Sequence, residues 1–245
     1  MEGRKVELFV PASLRHAASR GRGAGPAPVF EWDLVEALRP RLVVALGVGM
    51  GAAFAVLCQA VRDCRVDALL YGIDPFSDDG DKPEDDESRW ESVNNFLHTH
   101  YRGSSYLLRS PPPDTLRHFA DGSIDLLRVD SRRLGTPLAE FLGPWLPKIA
   151  PGGVLLSAGV DPGGVAPEFP AGAIPLGGPD SLFVARKSAR GPEPEPSPLL
   201  RALSSTDAAE REGLAAFYEH VFLHHALRAE IEEKRFGLHR KKAGA

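Results

Sequence analysis

Three glycines, Gly47, Gly49 and Gly51, stand at alternate positions in LVVALGVGMGAAF (residues 42–54), directly behind an apolar run. A strand that ends in glycines and turns into a helix aims backbone N–H groups and a positive dipole end at a ligand. Glycine also lets that ligand touch the main chain. Such chemistry suits a pyrophosphate, or the amino-acid end and ribose of S-adenosylmethionine. Gly47, Gly49 and Ala52 satisfy the dinucleotide pattern equally well, and a tight turn without ligand is the plain alternative. Asp74 closes the next apolar run, 22 residues beyond Ala52. A carboxylate there accepts both ribose hydroxyls of a nucleoside, and NAD and S-adenosylmethionine both offer them. A third group is Asp130 with Arg128, Arg132 and Arg133 around it. A guanidinium fork suits a carboxylate or phosphate, so Arg132 and Arg133 are expected to meet an anionic acceptor or to replace a cation electrostatically. Arg128 is set apart, because it lies inside a strand. Surface charges in local ion pairs are the competing reading of all three.

These residues need a scaffold, and apolar runs alternate with helical stretches to provide it. FEWDLVEALRP carries Phe30, Leu34, Val35 and Leu38 at helical spacing, and Pro40 ends that helix. Strand-like runs follow at 42–46, 68–74, 105–110, 124–130 and 153–158. Helices are expected at about 51–62, 88–98 and 138–146, with a short one opened by Pro113 and Asp114. Continuous apolar strands separated by helices imply a parallel sheet covered on both faces. AIPLGGPDSLFVARK adds two runs, 173–176 and 182–186, around a Gly-Gly-Pro-Asp turn, which reads as an antiparallel hairpin closing that sheet.

The flanks differ in composition. Residues 1–29 read as an N-terminal arm, 30–187 as the sheet domain, 188–204 as a Pro/Glu linker and 205–245 as a helical extension with a basic tail. Asp207 and Glu210 form a capping pair for a helix reaching about Phe236, with Gly237 as its stop. Its apolar face (Leu214, Phe217, Tyr218, Val221, Phe222, Leu227, Ile231) docks back on the sheet or pairs with a second chain as a homodimer, and the sequence leaves both open.

The chain's 245 residues carry a net charge of -4, which argues against a nucleic-acid partner. No apolar run approaches the roughly 20 residues needed to span a bilayer. Cys58 and Cys64 are the only cysteines, too few for a disulfide framework, and a cytoplasmic location without membrane partners is the expectation. DPFSDDGDKPEDDE (74–87) has eight carboxylates and one lysine without calcium-loop spacing, and reads as a solvated lid. His98, His100 and His118 read as surface or helix-end residues, and Trp90 and Tyr101 as core. His220 and His224 lack a third ligand.

Several stretches resemble the class I S-adenosylmethionine-dependent methyltransferases: EWDLVEALRPRLVVALGVGMG, CQAVRD, YGIDPFSDD, YLLRS, FADGSIDLLRVD and WLPKIAPGGVLLSA. In that family a D-G-S-hydrophobic-D turn leads into strand four and a hydrophobic-x-P-G-G turn into strand five. The nearest likeness is to a bacterial subgroup that accompanies glycosyltransferases and sugar- or antibiotic-tailoring genes. The resemblance implies an α/β, Rossmann-like class I methyltransferase fold, mostly parallel and seven-stranded with an antiparallel terminal hairpin, plus the C-terminal helix. It further implies S-adenosylmethionine as donor and methyl transfer, O-directed, to a small molecule or glycan. Gly47, Gly49 and Gly51 would form the donor loop, Asp74 would take the ribose, and Ser110 would lie near the adenine. Asp130 would face the reacting centre with Arg133, as general base or acceptor anchor, and Arg132 and Arg133 would bind the acceptor.

The sequence departs from the family's pattern at three places. Ala45 stands where the family carries an acidic residue that holds the donor's amino-acid end. RVDSRR replaces H-I-D-G-x-H, and Ala158-Gly159 replaces H-D, whose carboxylate can bind a metal. No metal is therefore expected. A catalytically inactive binding or scaffold protein is the first alternative, and an NAD(P)-dependent oxidoreductase the second.

Overall fold

The computed structural model describes residues 27–77, 83–133, 138–159, 169, 172–177, 182–189 and 196–223. In chain order the elements are α1 (Ala27–Leu38), β1 (Leu42–Leu46), α2 (Ala52–Asp63), β2 (Leu69–Asp74), α3 (Pro83–Tyr101) and β3 (Ser105–Arg109). A short α4 (Pro112–Thr115) runs into a 3-10 turn, Leu116–His118. Then come β4 (Ile124–Asp130), a 3-10 turn at Ser131–Arg133, α5 (Leu138–Leu142), β5 (Ile149–Ala158), β6 (Ile174–Gly177), β7 (Leu182–Arg186) and α6 (Pro198–Ser204). A further helix, α7, covers 208–223.

The strands form one seven-stranded sheet in the order β3-β2-β1-β4-β5-β7-β6. β1 to β5 run parallel, and β7 is antiparallel to both of its neighbours. Side chains alternate between the two faces of a strand, so apolar runs such as LVVAL bury residues in both directions. Val43, Ala45, Leu126 and Leu156 join one core with Phe30 and Leu34 of α1, Phe54 and Leu57 of α2, and Val93 and Leu97 of α3. Val44, Leu46, Leu127 and Leu155 join the other with Phe119, Leu142 and Trp145. The β5–β7 pairing brings the expected hairpin onto the end of the parallel sheet.

The C-terminal segment departs from expectation in two ways. Residues 198–204, expected to be the end of a linker, are a helix. Ser197 caps it, its Oγ accepting from the Leu200 N–H at 3.3 Å, and Pro198 fills the first turn. Leu199, Leu200 and Leu203 are buried, and Arg186 Nη1 donates to Leu200 O (3.1 Å) and Ser204 Oγ (2.6 Å). The Pro/Glu composition hid this because the apolar anchors lie in its last few residues. Secondly, α7 docks back on its own chain. Tyr218, Val221 and Phe222 are buried, the Tyr218 ring meets Phe30 edge-on at 4.8 Å, and its hydroxyl donates to Asp33 Oδ2 at 2.9 Å. Of the two readings of that apolar face, self-docking holds over its described part. The rest of the expected helix, the basic tail and most of the N-terminal arm lie outside the described residues. α3 begins and ends further out than the expected 88–98, since Pro83 suits a first helical turn and the acidic residues behind it complement the helix dipole.

Candidate functional site

The glycine turn sits at the carboxyl end of β1, in the middle of the sheet. All three glycines are left-handed: φ is +80° at Gly47, +57° at Gly49 and +81° at Gly51. A Cβ on Gly51, the residue that starts α2, would lie 2.8 Å from Val93 Cγ1 of α3. Their amides are not aimed at a ligand as the sequence suggested. The Gly47 N–H donates to Ile73 O at 3.0 Å, Gly49 N–H to Asp74 Oδ2 at 2.8 Å, and Gly51 N–H to Val48 O at 3.0 Å. Each bond joins the turn to β2 or closes it on itself, so these glycines shape the loop and hold it against Asp74. Met50, between two of them, is exposed.

Asp74 is buried at the end of β2 and works as a latch. Besides Gly49, it holds the Phe76 N–H on Oδ1 at 2.6 Å. That bond fixes Phe76 at φ +53°, an unusual conformation for a bulky residue, while its ring is buried in the core. A carboxylate has about four acceptor sites, so two remain for hydroxyls of a ribose. Ser110 lies beside this latch: its N–H donates to Asp74 O at 3.2 Å. It also borders a cavity of about 1030 Å³ on the sheet's other face, with Tyr71, Leu108, Arg117 and Phe119. The short α4 leaves that face open, and neither the glycine turn nor Asp74 nor Asp130 lines it.

Two strands over, Asp130 ends β4. Its carboxylate is clamped by Arg132, with Nε on Oδ1 at 2.8 Å, Nη2 on Oδ2 at 2.9 Å and the Arg132 N–H on Oδ1 at 3.2 Å. Burial alone would raise this carboxyl. Arg132, and after it Arg128, outweigh burial and hold it below the usual carboxylate range. Such a group anchors and orients far better than it accepts a proton. Gly159 makes the clamp possible. At φ +102°, a Cβ there would meet Ser131 Oγ at 2.7 Å and Arg132 Cγ at 2.9 Å, and Ser131 Oγ donates to Ala158 O at 2.6 Å. Arg133 continues the 3-10 turn, and its side chain lies outside the described residues.

Arg128 lies inside β4, as its place in the apolar run implied. Alternation puts Arg128 and Asp130 on one face of the sheet, with Ala45 of β1 opposite Arg128 in register. Its Nε donates to Glu31 Oε1 of α1 at 2.7 Å, and the two side chains are 4% and 1% exposed. Glu31 was missed entirely. An arginine inside an apolar strand was the available signal, because a buried guanidinium needs a carboxylate or other acceptors to offset its desolvation.

The remaining candidates sort simply. Tyr101 is core, its hydroxyl donating to Gln59 Oε1 at 2.9 Å, and Trp90 is part-buried with the Arg109 guanidinium 5.6 Å from its ring centre. Of the acidic stretch, Asp86 pairs with Arg89 and Glu87 with Arg109, while residues 78–82 and His224 lie outside the described residues. Among the described residues no three His, Cys, Asp or Glu side chains are grouped to hold a metal ion. None of the described helices is long and apolar enough to cross a membrane.

Residues 44–157 match a family model described as a methyltransferase domain. A methyltransferase from Geobacter sulfurreducens has a similar structure: TM-score 0.51 at 16% identity, over 72% of this chain and 86% of that one. The fold is that of the class I methyltransferases. The O-methyltransferase TomG of Streptomyces achromogenes, solved in complex with SAM, is similar at TM-score 0.50 and 15% identity, over 77% of this chain and 92% of that one. An uncharacterized protein, y4gI, of Sinorhizobium fredii (strain NBRC 101917 / NGR234) is 32% identical over 130 residues, which are 53% of this chain. The chain spans 14% of that relative's length. In class I methyltransferase terms, the glycine turn follows the first strand and Asp74 closes the second. The three departures cluster at the carboxyl ends of β1, β4 and β5: Ala45 faces Arg128, and Ala158 pairs in register with Asp130.

Proposed function

We propose that the chain is an S-adenosylmethionine-dependent methyltransferase acting, by O-methylation, on a small molecule or glycan with anionic character, without a metal ion. One observation carries this reading: the Gly49–Asp74 hydrogen bond, 2.8 Å, which locks the glycine turn to a carboxylate with acceptor sites to spare for a ribose. The donor-bound TomG structure of the same fold supports it. When bound, S-adenosylmethionine supplies a methyl group already activated on a sulfonium, so the protein's task is chiefly placement. Asp74 orients the ribose, Ser110 borders the base, and the positive-φ turn gives the amino-acid end close approach. Arg132, clamped by Asp130, is a fixed guanidinium where the acceptor would enter, and Arg133 follows it. Held in the Arg132 clamp, Asp130 acts in this reading by positioning Arg132. The partners proposed are small molecules, and the setting proposed is the cytoplasm.

Calorimetric titration with S-adenosylmethionine, S-adenosylhomocysteine and NAD, followed by transfer of labelled methyl to a panel of hydroxylated acceptors, tests the reading. Binding of the sulfur ligands with turnover supports it. Binding without turnover over a broad panel favours a methyltransferase-like binding protein. NAD binding alone overturns it.

A further inference from the structure

Arg128 is too deep for an acceptor and too strongly charged for a core position. It is 3% exposed, in the middle of the sheet, next to Ala45 on β1. Ala45 precedes Gly47 by two residues, so Arg128 sits beside the strand that leads into the glycine turn, on the sheet face covered by α1, whose Glu31 it meets. Glu31 takes the Nε–H. Among the described residues, the terminal nitrogens Nη1 and Nη2, with four N–H groups between them, have no hydrogen-bond partner. Asp130 stands two residues along the same strand, but Arg132 already holds both of its oxygens. Nothing on β1 competes for Arg128, because position 45 carries only a methyl group.

A buried guanidinium held on one edge, with the other edge uncommitted, is built for a bidentate anion. We infer that Arg128, oriented by Glu31, binds the α-carboxylate of the donor's amino-acid end. This inference rests on the donor reading above. It makes Arg128 a binding residue and Glu31 a positioning residue.

The test compares S-adenosylhomocysteine with 5′-methylthioadenosine, which keeps the nucleoside and sulfur but has no carboxylate. Two variants are used, each confirmed as folded by circular dichroism. Arg128→Lys keeps the charge beside Glu31 and loses the fork. The double variant Arg128→Met with Glu31→Met removes both charges together, which buried pairs tolerate far better than loss of one partner. S-adenosylhomocysteine Kd is expected to rise about tenfold in the first and about ten- to a hundredfold in the second. The Kd of 5′-methylthioadenosine stays within about twofold in both. Unchanged S-adenosylhomocysteine binding, or an equal loss for both ligands, overturns the assignment of Arg128 while the donor site stands. Failure of the unmodified protein to bind either ligand overturns the donor reading and this inference with it.

Discussion

Alanine at three glycines should give three different outcomes, because the same methyl group meets three different surroundings. At Gly51 the backbone is left-handed (φ +81°) and the new Cβ would stand 2.8 Å from Val93 Cγ1. The conformation costs an L-residue about 1–2 kcal/mol. Val93 is buried in α3 and, being β-branched on a helix, has one strongly preferred rotamer, so it cannot swing away. Overpacking of that kind adds about 1–3 kcal/mol. Gly51→Ala is therefore expected to destabilise by about 2–5 kcal/mol. Gly103 is also left-handed, φ +91°, but has no atom within 4 Å of the added Cβ, so only the backbone cost of about 1–2 kcal/mol applies. Gly213 lies within α7 with ordinary φ and open space, and alanine there stabilises by about 0.5–1 kcal/mol. Urea titrations at constant slope read these as shifts of the midpoint. A double-mutant cycle of Gly51→Ala with Val93→Ala should return a favourable coupling of about 1–3 kcal/mol, the steric part alone. Equal effects at all three positions, or Gly51→Ala within about 0.5 kcal/mol of the unmodified protein, would refute the reasoning.

Other consequences follow from single contacts. Tyr218→Phe keeps the edge-on packing against Phe30 but withdraws a hydrogen bond from buried Asp33, and should cost about 1–3 kcal/mol by urea unfolding. Asp130, held below its unfolded value of about 3.9, contributes stability above that pH and loses it as pH falls through the lower folded value. Unfolding midpoints measured between about pH 2 and 6 should thus fall less steeply for Asp130→Asn than for the unmodified protein, and parallel curves would contradict the clamp. Burial pushes the Cys58 thiol up to about 12 and, with help from Glu36 and Asp63, the Cys64 thiol to about 11. Buried Cys58 should react slowly with a thiol reagent at pH 8 in the native protein and quickly in urea, and a fast native reaction there would contradict its burial.

The sheet was legible because its signal is local. The run LVVAL is apolar on both faces, which a covered parallel strand needs, and the Gly-Gly-Pro-Asp turn between two short runs marked the hairpin. The place of Asp74 at the end of β2 was legible for the same reason, since its distance from the glycines reflects one strand–helix–strand unit. The destinations of hydrogen bonds were not. Gly47 and Gly51 bond to Ile73 O and Val48 O, and no residue type reports where a backbone carbonyl will point. Glu31 and Arg128 are 97 residues apart, so only the folded chain shows that they meet. Pro198–Ser204 carried readable helix signals in Ser197 and Pro198, but the Pro/Glu composition before them weighed more.

The most direct measurement is a crystal structure of the chain with S-adenosylhomocysteine bound. The expected map places both ribose hydroxyls within hydrogen-bond distance of Asp74 and the amino-acid end against residues 47–51. A crevice without ligand density at saturating concentration, or a ligand lodged in the open cavity beside Tyr71 and Phe119 with no contact to Asp74, would contradict the account.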